Sequence, residues 1–312
     1  MRIAVVGVGA MGSVYAALLA DAGNDVSVVD VSPAQVSAIR RDGLRVNGAS
    51  GDRVVRVHAT HDPREIGPVD LVVIATKAMH VRDAAAAASP LLGPDTVVLS
   101  IQNGIGGPDA AAEVLGAERI LVGVAGGFGA SLVAPGHAHH HGLELVRLGE
   151  LEGPVTPRVE RVAETWRAAG FTVATFDDVG TLVWEKLVCN VAFSGPCAVL
   201  DATIGGVLAS DDAWSVAASC ATEAYEVAVA SGIALGFDDP VAYVRTFGEA
   251  IAGARPSLAQ DLRAGRPSEI DAINGAIPPR AARVGLTAPA NAAVVGLVRA
   301  LEAGAGLAAT RA

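Results

Sequence analysis

The apolar positions in the first half of the chain alternate between short continuous runs and runs with helical spacing. Residues 2–7 and 70–75 are continuous, largely β-branched runs, which indicate parallel strands covered on both faces. Between residues 11 and 22 the apolar positions recur at helical spacing, and Gly23 ends that run. The same criteria predict a helix from Ser32 and Pro33 to Arg41, and strands at 26–30, 54–59, 96–100 and 118–125.

The pattern changes twice further along the chain. Residues 127–150 are typical of an antiparallel hairpin whose turn is Pro135-Gly136. After Asp177 no convincing strand pattern remains. Instead, the spacing predicts helices at 179–194, 211–232, 239–252 and 268–284.

The length of 312 residues is more than one hydrophobic core usually organises, so it favours two domains. Alternating strands and helices are followed by helices alone. We therefore expect an α/β protein, with an N-terminal Rossmann-type dinucleotide-binding domain over residues 1–177. An all-helical domain for substrate and catalysis is expected over residues 178–312.

A glycine-rich motif lies directly after the first strand and opens the first helix. The first glycine of such a motif permits a tight turn, the second lets a pyrophosphate approach, and the third lets helix and strand pack closely. The helix N-terminus adds N–H groups and a partial positive charge. We expect a dinucleotide here, and the motif consists of Gly7, Val8, Gly9, Ala10, Met11 and Gly12.

Asp30 ends the second strand, 18 residues after Gly12. A carboxylate at this position accepts hydrogen bonds from the adenosine ribose hydroxyls and repels a 2′-phosphate. Val31 and Ser32, which follow, supply no arginine for that phosphate. We therefore expect NAD as cofactor, with NADH preferred over NADPH. The alternative is a helix-capping aspartate in a loop that binds no cofactor.

Lys186, Asn190 and Ser194 are spaced four residues apart, so they project from one face of a predicted helix. A lysine and an amide among apolar residues are partly desolvated, which costs free energy unless a ligand or a partner group satisfies them. The alternative is a surface lysine whose stem lies along apolar neighbours. Those neighbours are Trp184, Leu187, Val188 and Phe193.

Two acidic residues follow Ser268, which is expected to cap the helix over residues 268–284. Glu269 and Asp271 would then lie in the first helical turn, where the helix dipole favours negative charge. Capping alone could explain both of them.

Charge and composition narrow the class of partner. A net charge of −10 and a pI of about 5.1 argue against nucleic acid and anionic membranes, which leaves small-molecule chemistry. No secretory signal precedes the first strand, and no apolar run reaches the roughly 18 to 20 residues that cross a bilayer. We expect a cytoplasmic protein with three buried free thiols, Cys189, Cys197 and Cys220.

Four histidines lie close together in the predicted hairpin. Adjacent histidines in a strand point to opposite faces, and no acidic residue or cysteine accompanies them at ligand spacing. We therefore expect no metal site, although the group is histidine-rich: His137, His139, His140 and His141.

Six motifs in order along nearly the whole chain resemble the ketopantoate reductases (2-dehydropantoate 2-reductases). They are the start from Gly7 to Gly12, Thr76-Lys77-Ala78, Gln102-Asn103-Gly104-Ile105-Gly106, Trp184-Glu185-Lys186 with Asn190, Ser257 before Gln260-Asp261, and Glu269-Ile270-Asp271 with Ile273-Asn274-Gly275.

This resemblance implies roles for individual residues. Lys186 would donate a proton, and Asn103 and Asn190 would position cofactor and substrate. Ser257 would contact the substrate, as would Ser194 by its place beside Asn190. Glu269 would lie at the junction of cofactor and substrate as a further catalytic residue, and Lys77 would bind the cofactor. The resemblance also implies NADPH as a second candidate cofactor, a homodimer, and a place in pantothenate biosynthesis.

This sequence departs from the family pattern at three places. Ser194 stands where the family usually has a second asparagine, and Thr203-Ile204-Gly205-Gly206 replaces a loop that contributes another. Asp30 with Val31 replaces a basic residue found in many members. We therefore expect a small 2-keto acid as substrate, either ketopantoate or a related branched acid. The alternatives are an imine-type or opine-type reductase and an NAD(H)-binding sensor without catalysis.

Overall fold

The computed structural model describes residues 1–127, 129–142 and 145–307. By contacts between residues the chain divides into two compact units. The first unit comprises residues 1–102 and 106–179, and the second comprises residues 103–105 together with the chain from Gly180 onward.

The first unit contains strands and helices in alternation. Its strands are β1 (Arg2–Val6), β2 (Asp25–Val29), β3 (Leu44–Gly48), β4 (Arg53–Val55), β5 (His58–Thr60), β6 (Val69–Ile74), β7 (Leu92–Ser100), β8 (Ile120–Gly126), β9 (Gly129–Ala134), β10 (His137–Gly142), β11 (Leu145–Glu150) and β12 (Thr172–Thr175). Its helices are α1 (Ala10–Asp21), α2 (Pro33–Asp42), α3 (Val81–Ala88), α4 (Gly107–Leu115) and α5 (Pro157–Ala168).

The main sheet has eight strands in the order β12-β11-β8-β7-β6-β1-β2-β5. Its neighbouring strands are parallel except β8 and β11, which are antiparallel. On β1 alternate side chains enter two separate cores, Ile3 and Val5 on one face and Ala4 and Val6 on the other. Burial on both faces explains the continuous β-branched run, and the arrangement confirms the predicted Rossmann-type fold.

A second sheet, in the order β4-β3-β10-β9, packs against α1. Leu44 and Val46 of β3 and Ala138 of β10 belong to the same core as α1. Every residue of α1 from Gly12 to Leu19 is buried, which is typical of a helix covered on all sides. The predicted hairpin is confirmed for β9 and β10, which pair antiparallel around Pro135-Gly136. The end of the predicted stretch is wrong, because Leu145–Glu150 is β11 of the main sheet.

The prediction of one strand over residues 54–59 is wrong. The chain forms two short strands there, and they belong to different sheets: β4 pairs with β3, whereas β5 pairs with β2 of the main sheet. Residues 56 and 57 carry the chain from one sheet to the other, and a strand cannot continue the ladders of both sheets. An alternating pattern does not reveal such a change of sheet.

The second unit is helical, and its described residues contain no strand. Its core includes the buried thiols Cys189, Cys197 and Cys220, which are free as predicted. Burial raises the pKa of each of them to about 12. The helices are α6 (Val179–Val199), α7 (Ile204–Leu208), α8 (Asp211–Ala230), α9 (Pro240–Ala250), α10 (Ser257–Arg263), α11 (Ile277–Arg283) and α12 (Pro289–Gly304).

The predicted helix over residues 268–284 is wrong in its first half. Residues 270–273 form turns, Asn274–Ala276 is a short 3-10 helix, and α11 begins only at Ile277. Pro278 and Pro279 have no backbone N–H, so they fit the first turn of a helix and not its interior. Ser268 therefore caps no helix, and Glu269 and Asp271 do not lie in a first helical turn.

The described residues include no helix that is both long enough and apolar enough to cross a membrane.

Candidate active site

The three glycines of the loop after β1 differ in their surroundings. Gly7 has φ +88°, and a Cβ there would lie 2.6 Å from Thr76 Cγ2. A Cβ on Gly12 would lie 1.9 Å from the Gly7 carbonyl oxygen, so only glycine allows this approach of α1 to β1. Around the Cβ position of Gly9, by contrast, no atom of the described residues other than its neighbours in the chain lies within 4 Å. This is the distribution of space that a pyrophosphate site requires.

The N-terminus of α1 has no side-chain cap among the residues described. The first helical hydrogen bond runs from Ser13 N to Gly9 O at 3.0 Å, so the N–H groups of Ala10, Met11 and Gly12 precede it. Such N–H groups and the helix dipole together favour a bound anion. The loop and α1 therefore fit the phosphates of a dinucleotide.

Asp30 contacts this loop directly. Its Oδ2 accepts a hydrogen bond from Val8 N at 2.8 Å, and its Oδ1 accepts one from Ser32 N at 2.8 Å. The alternative interpretation, a capping aspartate, is therefore correct in part, because the Asp30 carboxylate stabilises the turn before α2. Each carboxylate oxygen has a second lone pair, so these contacts leave capacity for ribose hydroxyls. Val31 beside it is 94% exposed and uncharged.

Lys77 lies immediately after Thr76, the residue that packs against Gly7. It precedes a short 3-10 turn, Ala78–His80, and its backbone is extended. The side chain is half-buried. The fold therefore brings Lys77 to the carboxyl end of β6, next to the glycine-rich loop that follows β1, because these two strands are parallel neighbours.

In the second unit Lys186 donates a hydrogen bond from Nζ to Asn103 Oδ1 at 2.8 Å. Lys186 is half-buried on α6, and the predicted apolar neighbours on that helix are all buried. The ammonium therefore has a polar partner within the unit, unlike a surface lysine directed into water. Asn190 is half-buried one turn further along, whereas Ser194 is only 5% exposed.

The loop that carries Asn103 is anchored on the turn that begins at Glu269. Ile105 N donates to Ala272 O at 3.0 Å, and a Cβ on Gly104 would lie 2.3 Å from the same oxygen. That turn is closed by Ala272 N, which donates to Glu269 O at 3.1 Å. The elements that bear Lys186, Asn103 and Glu269 therefore contact one another. The Glu269 side chain is half-buried.

Ser257 is the exposed first residue of α10. This helix is joined to the end of α6 through Asp201, because Arg263 donates to its carboxylate and Arg255 donates to its backbone oxygen at 2.8 Å. No described contact brings Ser257 to Lys186. The sequence pattern missed Asp201, whose φ of +50° is the only positive value outside glycine in the described chain.

The segment Thr203–Gly206, which replaces a loop of the family pattern, begins a short helix. Thr203 is the N-cap of α7, and its Oγ1 accepts a hydrogen bond from Gly206 N at 3.2 Å. Gly205 N donates to Ala252 O at 2.7 Å. The segment is thus held by the Thr203 cap and by a backbone hydrogen bond.

The histidines of β10 divide between the two faces of the strand. His140 is fully buried, and that burial lowers the pKa of its imidazole. On the other face, His137 Nε2 and His139 Nδ1 lie 3.2 Å and 3.1 Å from Asn47 Oδ1. Across residues 1–127, 129–142 and 145–307, no group of three or more potential metal ligands has a suitable arrangement.

Comparisons with known proteins point to one family. Residues 3–153 match the family model described as "Ketopantoate reductase PanE/ApbA", and residues 178–302 match its C-terminal counterpart. A 2-dehydropantoate 2-reductase from Archaeoglobus fulgidus is 32% identical over 97% of this chain and 98% of its own length.

Solved structures agree along nearly the whole chain. A ketopantoate reductase from Ralstonia eutropha has a TM-score of 0.90 at 33% identity, with 98% of this chain and all of that one covered. A D-mandelate dehydrogenase, solved with NADH and anilino(oxo)acetate, has a TM-score of 0.89 at 27% identity, with 98% and 100% covered. The chain therefore belongs to the ketopantoate reductase family of oxidoreductases.

Proposed function

We propose that this protein reduces a small 2-keto acid to the 2-hydroxy acid with NADH, and that Lys186 donates the proton. The observation that carries the proposal is the 2.8 Å hydrogen bond from Lys186 Nζ to Asn103 Oδ1 on a largely apolar helix. The Lys186 amine has an amide partner, and the loop that bears this amide contacts the turn that begins at Glu269. That combination suits the stabilisation and protonation of an alkoxide.

The dinucleotide is assigned to the loop from Gly7 to Gly12, with Lys77 beside it. When bound, a reduced nicotinamide supplies the hydride for the keto carbon. Asp30 supports NADH over NADPH, because its carboxylate would repel a 2′-phosphate and the exposed Val31 offers no compensating charge. The D-mandelate dehydrogenase solved with NADH supports the same choice by similarity.

Lys186 and Asn103 act as a pair in this proposal. An ammonium carries three N–H donors, so it can bond Asn103 and a substrate oxygen at the same time. As negative charge develops on that oxygen, the ammonium stabilises it and transfers a proton from Nζ. Asn103 contributes by fixing the position of Nζ, which leaves less conformational freedom to lose in the transition state.

Asn190 and Ser194 follow Lys186 at helical spacing, and we assign them to the substrate together with Ser257. Only Asn190 combines the correct spacing with a side chain that is more than slightly accessible. Glu269 is assigned to the junction of substrate and cofactor, since its turn supports the Asn103 loop. It is the second candidate for the proton donor.

We propose that the substrate is less hydroxylated than ketopantoate. A site that bonds a hydroxyl through amide side chains discriminates strongly in favour of it, and two of the family's amides are missing here. The similar D-mandelate dehydrogenase was solved with anilino(oxo)acetate, an oxo acid with an aromatic substituent, and this supports a substrate other than ketopantoate.

Oxidation of NADH and of NADPH should be measured in parallel across a panel of 2-keto acids, with ketopantoate among them. We expect turnover with several acids, and faster turnover with NADH. If ketopantoate is clearly the best substrate, the proposed substrate class is wrong. Turnover that needs an added amine would identify an imine-type or opine-type reductase, and binding of NADH without turnover would indicate a sensor.

A further inference from the structure

The side chain of Gln35 is only 3% exposed, although Ala34 and Ser37 beside it in α2 are exposed. A buried amide normally has hydrogen-bond partners on both its oxygen and its nitrogen. Gln35 Nε2 donates to the Val8 carbonyl oxygen at 2.6 Å, and Gln35 Oε1 accepts from Gly136 N at 2.8 Å. One side chain thus joins the glycine-rich loop to the β9–β10 turn of the second sheet.

The local sequence explains why the Gln35 side chain can bond Val8 and does not cap α2. Ser32 and Gln35 have the spacing of a capping box, in which a glutamine reaches back to the backbone N–H of the N-cap residue. Half of the box is present, since Gln35 N donates to Ser32 Oγ at 3.3 Å. The other half is replaced, because Ser32 N donates to Asp30 Oδ1 instead. The amide of Gln35 is therefore directed to Val8.

Both the N–H and the carbonyl group of Val8 are hydrogen-bonded to side chains. Asp30 Oδ2 accepts from Val8 N, while Gln35 Nε2 and Ser13 Oγ donate to Val8 O at 2.6 Å and 3.1 Å. Val8 lies between two glycines, which restrict the backbone least of all residues. The shape of this loop must therefore come from hydrogen bonds, and these contacts supply them.

We propose that Gln35 is a positioning residue of the dinucleotide site, which fixes the Val8 peptide and ties the site to the second sheet. This inference rests on the proposed dinucleotide binding by the same loop. A loop fixed before binding loses less conformational entropy when its N–H groups contact phosphate. Loss of Gln35 should therefore weaken cofactor binding without altering the chemical step.

The test compares Gln35→Met with a control, Val46→Ala. Methionine is similar in size and removes both hydrogen bonds, whereas Val46 is buried in the second sheet and its partner there is Ala138. Both variants should lower the Tm, by about 5 °C. We expect Gln35→Met to raise the Kd for NADH, measured by titration calorimetry, about tenfold, with kcat at saturating NADH within about threefold of wild type. Val46→Ala should keep its Kd within about twofold of wild type.

A second variant, Gln35→Glu, separates the two hydrogen bonds. Glutamate retains an acceptor for Gly136 N, but it can donate to Val8 O only while protonated, and burial favours the protonated form. The groups in contact with residue 35 are the Val8 carbonyl, the Gly136 amide and the Ser13 hydroxyl, and none of them titrates near neutral pH. The Kd of this variant should be near the wild-type value at about pH 6 and several-fold higher at about pH 9, relative to wild type at each pH.

A Gln35→Met protein with a lowered Tm and an unchanged Kd for NADH would show that Gln35 serves stability alone, which would overturn this inference. A wild-type protein that binds neither NADH nor NADPH would instead overturn the proposed function.

Discussion

The glycine-rich loop and the Lys186–Asn103 pair both present polar groups, but they are built in different ways. In the loop the groups are backbone amides, and their positions follow from a contiguous stretch of sequence with glycine at three points. In the second unit the groups are side chains from residues 83 positions apart. Substitution should therefore act on binding and packing in the first region, and on the chemical step in the second.

The largest effect is expected from Lys186→Ala. A group that protonates and stabilises an alkoxide contributes roughly 10² to 10⁴ in rate, so kcat should fall at least about a hundredfold. The Kd for NADH should change little, because Lys186 lies in the other unit from the glycine-rich loop. Steady-state kinetics and calorimetric titration measure the two quantities separately. A kcat within about tenfold of wild type would mean that the proton comes from another group, with Glu269 as the next candidate.

Gly12→Ala and Gly9→Ala should separate packing from binding within the first region. A Cβ on Gly12 would overlap the Gly7 carbonyl, so this variant should lose about 1–3 kcal/mol of stability in urea unfolding. Gly9→Ala meets no such obstacle and should unfold like wild type. Its methyl group would instead occupy the space left for phosphate, and the Kd for NADH should rise about tenfold. Equal stability losses in both variants would contradict this separation.

Asp30→Ala should reduce the preference for NADH. We expect wild type to favour NADH over NADPH by about 1–3 kcal/mol, a factor of roughly 5 to 150 in kcat/KM, and the variant to approach equal use. Part of the loss will appear with both cofactors, since Asp30 also holds Val8 N. The ratio of kcat/KM values is therefore the relevant measurement. Equal or better use of NADPH by wild type would show that Asp30 serves only to hold the loop.

The smallest effect is expected from Asn190→Ala. A neutral group that binds substrate and transition state alike changes KM more than kcat, so KM for the keto acid should rise about three- to tenfold. Ser194→Ala is the matched comparison on the same helix face. Because Ser194 is only 5% exposed, the KM of Ser194→Ala for the keto acid should change less than that of Asn190→Ala. A larger effect at Ser194 than at Asn190 would reverse our assignment of the substrate contacts.

The parts of the fold that follow from local pattern were predictable. The strand β1, the helix α1 and the hairpin of β9 and β10 each have a periodicity or a turn signal within their own residues. The change of sheet between β4 and β5 has no such signal, because strand pairing depends on distant partners. Pro278-Pro279 indicates a helix that starts at about Ile277. The helical spacing of the residues before it led instead to the prediction of one longer helix.

In the candidate site, too, the features with a local sequence signal were predictable and the contacts between distant residues were not. The glycine roles follow from the motif, and each has a counterpart in the space around Gly7, Gly9 and Gly12. Spacing could place Lys186 and Asn190 on one face, but it could not join Lys186 to Asn103. The predicted domains separated these two residues, whereas the structure puts both of them in the second unit. Gln35 was missed because the local sequence has no signal for an amide that reaches Val8 and Gly136. The spacing from Ser32 favours a bond to the Ser32 N–H, and that N–H donates to Asp30 instead.

The loop of residues 103–105 belongs to the second unit, although the chain on both sides of it belongs to the first. A cut or a fusion point near residue 179 would therefore divide the molecule in the wrong place. A chimera that takes only its C-terminal half from a relative would pair a foreign lysine helix with the native Asn103 segment. A recombinant of this family should keep the contacts of the helical unit best when the three-residue loop and that unit come from the same parent.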